Sequence, residues 1–484
     1  MSLHKKNYTR RALITENVVK TRKRPIINPN NYLSTAESQL LVHPKGARVM
    51  DSRSSIGGKG FCSLFTGFAC EKGMYDKSAP HGTLNFGSNS IQKILNDKLD
   101  TIYKHIKLDA NFAADIKVLL NSAAQKTYVN YKTNLCIINI HIDTKNKIFT
   151  YSIPNKKDLP RDSRIAGIEY LFENIIKWCK RESGKQNIIK VNTGVTPNVS
   201  GINLKTAIFI WCSDRHIWEV PDIDKKIPIC LYACPRDKKY IVIPDGTFLI
   251  QSTTRRYASK GLNWEEQKKL FTYDIKTKKK MFFRGADTTR YIHNIRGYIY
   301  DRLKTEPDLK FKNDVLYEFL TAQNYESVAA FKKYKFMLNL PGNYPWSTRL
   351  KYLYLGRQFI INIRVFTYLD DGSVEDHYHS FVDYIIPQDT YCINIDMKYY
   401  YVNLKNELDE LKKKHIALNN AECDRVYKMI KNIYYKYQNK EPSMDKQVQH
   451  AYKLVNDLST VDIYTYYLQI AMRNQSLGIN HINM

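Results

Sequence analysis

Three stretches of this chain beyond residue 200 set charged side chains just past short apolar runs. Residues 207–212 (AIFIWC) lead into Ser213-Asp214-Arg215-His216, residues 278–283 (KKKMFF) into Arg284-Gly285 with Arg290 close behind, and residues 336–340 (FMLNL) into a loop holding Gly342, Ser347, Arg349 and Lys351. In an open α/β sheet, ligands collect outside the carboxyl ends of the strands, which is where these groups would stand. A lone carboxylate there can act as a base. Arginine forks together with the free N–H groups of a loop and helix start suit an anion, and a diphosphate is the natural guest.

The elements that must hold these groups can be read from the same residues. Residues 278–283 predict a strand and Arg284-Gly285 a sharp turn; Thr288 or Thr289 then caps a helix whose apolar positions Ile292, Ile295, Ile299 and Leu303 recur at helical spacing. The pattern repeats: strand 336–340, loop 341–346, a helix opened by Ser347 with Leu350, Leu353 and Tyr354 inward, Gly356 to end it, and a buried strand at 359–363. Such a βαβ unit requires a parallel sheet with a right-handed crossover. Upstream, residues 135–142, 207–212, 227–233 and 239–245 read as strands, and 90–123 and 165–181 as helical; downstream, 403–437 and 445–473 read as helices.

Several other features have bland readings. The chain has 484 residues with a formal net charge of +28, and 43% hydrophobic residues are enough for real cores, which excludes a wholly disordered basic protein. Residues 1–50, polar and basic, predict a loosely ordered arm, in which KTRKRP (20–25) reads as a solvated patch. GGKG at 57–60 lacks the spacing of a phosphate loop. Nine cysteines are scattered without a CxxC pair, so reduced thiols and an intracellular protein are expected. His377 and His379 share one face of a strand but have no evident third ligand, so no metal is expected there. A run of about 18 apolar residues, the length that spans a bilayer, occurs nowhere, and no secretory signal is readable.

The ordered set Phe-Arg-Gly, then Lys-Phe-x-x-Asn-Leu-x-Gly, then Ser-x-Arg-x-Lys-x-Leu, with Val-x-Tyr-Ile-Ile-Pro at 382–387, resembles the signature of glycosyltransferase family 90, the Rumi-like protein O-glucosyltransferases and capsule-associated glycosyltransferases. The resemblance covers about residues 207–387. It implies two Rossmann-like domains facing a cleft (the GT-B type of α/β fold), and inverting, metal-independent transfer of a sugar from a nucleotide-sugar donor, a UDP-sugar, to a hydroxyl on a protein or glycan. It implies no required cofactor. Asp214 matches the family's catalytic aspartate. Arg284 and Gly285 match its turn, with Arg290, or Arg296 further on, as the donor-binding arginine; Gly342, Ser347, Arg349 and Lys351 match the pyrophosphate segment. Ala286 and Asp383 depart from the family pattern, where serine and histidine are common.

On this reading residues 1–50 are the arm, 51–265 an acceptor-side α/β domain, 266–440 the sugar-nucleotide domain, and 441–484 helices packing back on the body. The expected place of work is the cytoplasm or the cytosolic face of a membrane, in a microbe or virus. Two other classes stay open: a nucleic-acid or polyanion binder, suggested by the charge and the interleaved Tyr and Lys, and a catalytically degenerate transferase fold with a structural role.

Overall fold

A computed structural model describes residues 90–108, 112, 116, 135–159, 163–183, 202–212, 226–248, 263–271, 278–286, 295–319, 328–342, 348–369, 372–401 and 410–483. All lie in one compact unit, Asp76–Met484. The basic arm, KTRKRP and GGKG fall outside the described residues.

The first half supplies helix α1 (Ser90–Tyr103), strands β1 (Leu135–Asp143) and β2 (Ile148–Ser152), helix α2 (Ser163–Ser183), strands β3 (Asn203–Trp211), β4 (Ile229–Leu231), β5 (Ala233–Pro235) and β6 (Ile241–Val242), and the short helix α3 (Trp264–Lys269). Its sheet has the order β2-β1-β3-β4-β6. β3, β4 and β6 run parallel, but β1 is antiparallel to both β2 and β3, so this sheet is mixed. The reversal is made by a tight turn in which the Asp143 carboxylate accepts from the Asn146 backbone and side chain, and Lys147 takes a positive φ of 56°. β1 and β3 are mostly buried; their apolar stretches 135–138 and 207–211 are the mark of strands covered on both faces, and the polar Asn139, Asp143 and Thr206 are buried among them.

The second half continues with β7 (Lys278–Gly285), α4 (Ile295–Lys304), α5 (Leu309–Asp314), β8 (Val315–Phe319), β9 (Tyr334–Asn339), α6 (Leu350–Leu355), β10 (Phe359–Tyr368), β11 (Val374–Glu375), β12 (Tyr378–Ser380), α7 (Phe381–Ile385), α8 (Gln388–Tyr391) and β13 (Ile393–Tyr400). Three helices close the chain: α9 (Glu410–Tyr437), α10 (Lys446–Asp457) and α11 (Thr460–Ser476). β7 pairs in parallel with β8 and with β9, β9 with β10, and β10 with β13. Ile361 and Asn362 pair with both β9 and β13, which must therefore lie on opposite edges of β10. The spatial order is β13-β10-β9-β7-β8, and the direction of winding reverses between β7 and β9. The short β11 adds antiparallel to the far end of β10.

Several sequence boundaries shift: the run 227–233 divides into β4 and β5, which lie in different sheets, the strand read at 239–245 is only Ile241–Val242, and the helix read as opening at Ser347 begins at Leu350. β7 runs through Arg284 and Gly285, where a turn is expected, because Arg284 pairs with Glu318 of β8 and Gly285 with Phe319. The helical stretch at 445–473 is two helices: Ser459 and Asp462 form a reciprocal capping box that starts α11 afresh after Leu458 turns extended. The core of the second half gathers Phe283, Ile299, Phe336, Leu338 and Ile361 from the sheet and α4 with Val426, Ile430 and Tyr434 from α9. Helix α11 belongs with the first sheet, where the Asn474 amide donates to Ala207 O at 2.8 Å.

Candidate functional site

The site is built where the winding reverses. Along β7, side chains alternate across the sheet. Arg284 turns to β8, where its Nε donates to Glu318 Oε2 at 2.8 Å, and only 8% of its side chain is exposed. Phe283 faces the core and stacks on Tyr317 with ring centroids 4.6 Å apart. Gly285 ends the strand, and its missing side chain leaves room for two guanidinium groups.

Arg296, on the first turn of α4, comes from one side. Its Nη1 donates to Ala286 O at 2.8 Å and its Nη2 to Leu340 O at 3.2 Å, bridging the carboxyl ends of β7 and β9. Tyr317 fixes the start of that helix by donating from its hydroxyl to Arg296 O at 2.8 Å. Arg349, just before α6, comes from the other side, its Nη1 donating to Arg284 O at 2.7 Å. Both guanidiniums lie over the Phe283 ring, 5.3 Å and 5.1 Å from its centroid. Both also stand 3.3 Å from where a Cβ on Gly285 would be. Burial, and then the positive charge of Arg296, pull the Arg349 pKa down to about 9. Two mutually repelling cations held on peptide carbonyls make a position that an anion would stabilise.

Two expected donor contacts are corrected. The Arg284 guanidinium serves as a cross-strand partner of Glu318, and what it offers to the cluster is its carbonyl oxygen. Lys351 points elsewhere: its side chain is 2% exposed, its Nζ lies 2.7 Å from Asp245 Oδ2 and 3.0 Å from Thr348 O, and it sits 4.4 Å from the Phe248 ring centroid. The reason is helical spacing. Two residues on from Arg349, at about 100° per residue, Lys351 faces the opposite side of α6. Gly342 follows β9 half-buried, next to Pro341. Asp214, Arg290 and Ser347 lie outside the described residues, although β3, which precedes Asp214, ends at Trp211 close to where the sequence places it.

Sequence reasoning held Arg296 only as an alternative and missed Phe283 as a platform and Asp245 as an ion-pair partner. Asp245 had a signal, since it ends the run KYIVIP just as Asp214 ends AIFIWC-Ser. Beside the cluster, Asn339, Asn362 and Asn394 form a polar row across β9, β10 and β13: Asn339 Nδ2 donates to Asn362 Oδ1 at 2.7 Å, and Asn362 Nδ2 to Asn394 Oδ1 at 2.9 Å. Asp383 sits in the first turn of α7, its Oδ2 accepting from the Ser380 backbone N–H at 2.7 Å and from the Ser380 hydroxyl at 2.9 Å. Burial raises its pKa to about 6.

His377 Nδ1 lies 2.8 Å from Asp376 Oδ1, while His379 Nε2 is 3.8 Å from Cys234 Sγ. Among the described residues no group of three His, Cys, Asp or Glu side chains could hold a metal ion, and no helix is long and apolar enough to cross a membrane. Compared with models of known protein families the chain matches none, and no curated protein matches it.

Proposed function

We propose that the chain is a nucleotide-sugar-dependent glycosyltransferase of the two-domain type, the second sheet binding the donor and the first carrying the base. The observation that carries this reading is the convergence of Arg296 and Arg349 on Gly285 where the parallel sheet reverses its winding. The parallel order β13-β10-β9-β7-β8, with its reversal between β7 and β9, supports this reading, and the motif resemblance covers β7, β9 and α6 of that region.

In this mechanism Arg296 and Arg349 receive the diphosphate, assisted by Gly342 and Ser347. As the sugar leaves, charge grows on the departing phosphate oxygen, and the two guanidiniums stabilise that charge more than the ground state. Asp214 takes the proton of the attacking hydroxyl on the opposite face of the sugar, giving inversion. Arg284 and Lys351 hold the architecture. Ala286 contributes a carbonyl, so the loss of a side-chain hydroxyl there leaves the Arg296 contact intact.

Titrating the full chain with UDP by calorimetry tests the donor half. Arg296→Ala and Arg349→Ala should each weaken binding about tenfold or more, the worth of one charge-assisted hydrogen bond. Unchanged affinity in both variants would remove the site. Asp214→Asn should retain UDP binding and lose transfer from a panel of UDP-sugars, and near-normal turnover would sink its assignment as base.

A further inference from the structure

A pocket of about 270 Å³ opens at the amino-terminal end of β6, whereas Asp245 lies past that strand's carboxyl end. It is enclosed by α1, by the turn between β5 and β6, and by the segment from β12 to α8. Its volume is near the lower end for small-molecule sites.

The charges around it do not cancel. Lys98 comes from α1, and Arg236, Lys238 and Lys239 from the turn; the acids are Asp383 and Asp389. Asp389 is already held by Arg236 at 2.6 Å and by Arg364, Asp383 by Ser380, and Lys238 lies 3.5 Å from Asp237. Among the described residues Lys98 and Lys239 have no carboxylate partner, and both are exposed. Burial first, and then the neighbouring His377, Lys98 and Arg236, push the pKa of His379 in the pocket wall down to about 3, which keeps its imidazole neutral.

We propose that this pocket binds a small phosphate monoester, its dianionic head between Lys98, Arg236 and Lys239 and its hydroxylated body over the His379 and Tyr384 wall. Arg236 already answers Asp389, and the two remaining cations, Lys98 and Lys239, match the two charges of a phosphate ester better than the single charge of a sulfate or carboxylate. Two of the walls come from the first half and one from the second, so the occupant would bridge them. The site is separate from the arginine pair and does not depend on the transferase reading.

Calorimetry of the full chain with glucose 6-phosphate, glucose 6-sulfate and glucose tests it, with Lys98→Gln/Lys239→Gln and Arg349→Ala alongside. Saturable binding of the phosphate is expected, at least about tenfold tighter than the sulfate, with none for glucose. The double lysine variant should bind at least about tenfold more weakly at an unchanged melting temperature, and Arg349→Ala should bind as the parent does. Four results would each overturn the proposal: no saturation by about 10 mM phosphate ester, equal binding of sulfate or glucose, full affinity in the lysine variant, or loss of binding in Arg349→Ala.

Discussion

At the residue scale, Asp383 shows how burial sets chemistry. Its pKa is raised to about 6, so the fold favours the protonated form. For a carboxyl raised in this direction, the folded state binds more protons than the unfolded one between about pH 4 and pH 6. Asp383 therefore costs stability progressively as pH rises through that window, and the cost is constant above it. Asp383→Asn keeps an oxygen to accept from Ser380 and cannot ionise. Relative to the parent, this variant should gain stability between pH 4.5 and pH 7.5, by on the order of 2 kcal/mol, which urea unfolding at the two pH values measures. A difference that does not change with pH would show that the carboxyl titrates normally. Nothing in the residue sequence near Asp383 announces this: its burial comes from α7 lying between the two halves, which no local pattern encodes.

At the element scale, β7, α4 and α6 meet at Gly285. A methyl group there would lie 2.9 Å from Phe283 Cζ and 3.3 Å from Nη1 of both Arg296 and Arg349. Because the ring is buried and both guanidiniums are held by carbonyls, little can give way. Gly285→Ala should cost about 1–3 kcal/mol in unfolding free energy and weaken UDP binding at the same time. Normal UDP affinity in a folded Gly285→Ala protein would separate the glycine from the arginine pair.

The βαβ elements around this point were legible in the sequence, since Phe336, Leu338, Leu350, Leu353 and Ile361 carry the two periodicities plainly. The side-chain destinations were less so. Arg284 and Lys351 have the right type and place for an anion site, yet cross-strand register gives one to Glu318 and helical phase gives the other to Asp245. Neither can be known before the strand order is. The antiparallel entry of β1 was hidden for a related reason: a mostly apolar strand buried on both faces shows the same pattern in either direction.

At the scale of the whole molecule, the two sheets are joined by a few specific ties. β5 pairs antiparallel with β12, Tyr384 Oη lies 3.1 Å from Val242 N, and the Lys351–Asp245 pair is buried with side chains 2% and 12% exposed. Burial works against the charge on Lys351, and Asp245 offsets it. Lys351→Met takes the ammonium partner from Asp245 and should destabilise the protein by about 3–5 kcal/mol. Lys351→Met/Asp245→Leu should recover most of that loss in urea unfolding, since both charges go together. A double variant no more stable than the single would assign the loss to packing against Phe248 and Tyr352. The formal charge of +28, taken whole, suggested a polyanion; by position, its informative part reduces to Arg296 with Arg349, and Lys98 with Lys239.

The way the last described residues enter the first sheet has a consequence for biosynthesis. Asn139 and Thr206, buried in β1 and β3, are satisfied by Ile482 and Ile479: Asn139 exchanges two hydrogen bonds of 3.0 Å with the Ile482 backbone, and the Thr206 hydroxyl donates to Ile479 O at 2.6 Å. Asn139 and Ile482 are 343 residues apart. At about 5–20 residues per second, the ribosome delivers the second partner roughly 20–70 s after the first. Until Ile479 and Ile482 are made, Asn139 and Thr206 lack these partners, whereas the strands of the second sheet, Lys278 to Tyr400, are complete before them. The first sheet can therefore satisfy these two buried polar groups only after almost the whole chain has been made.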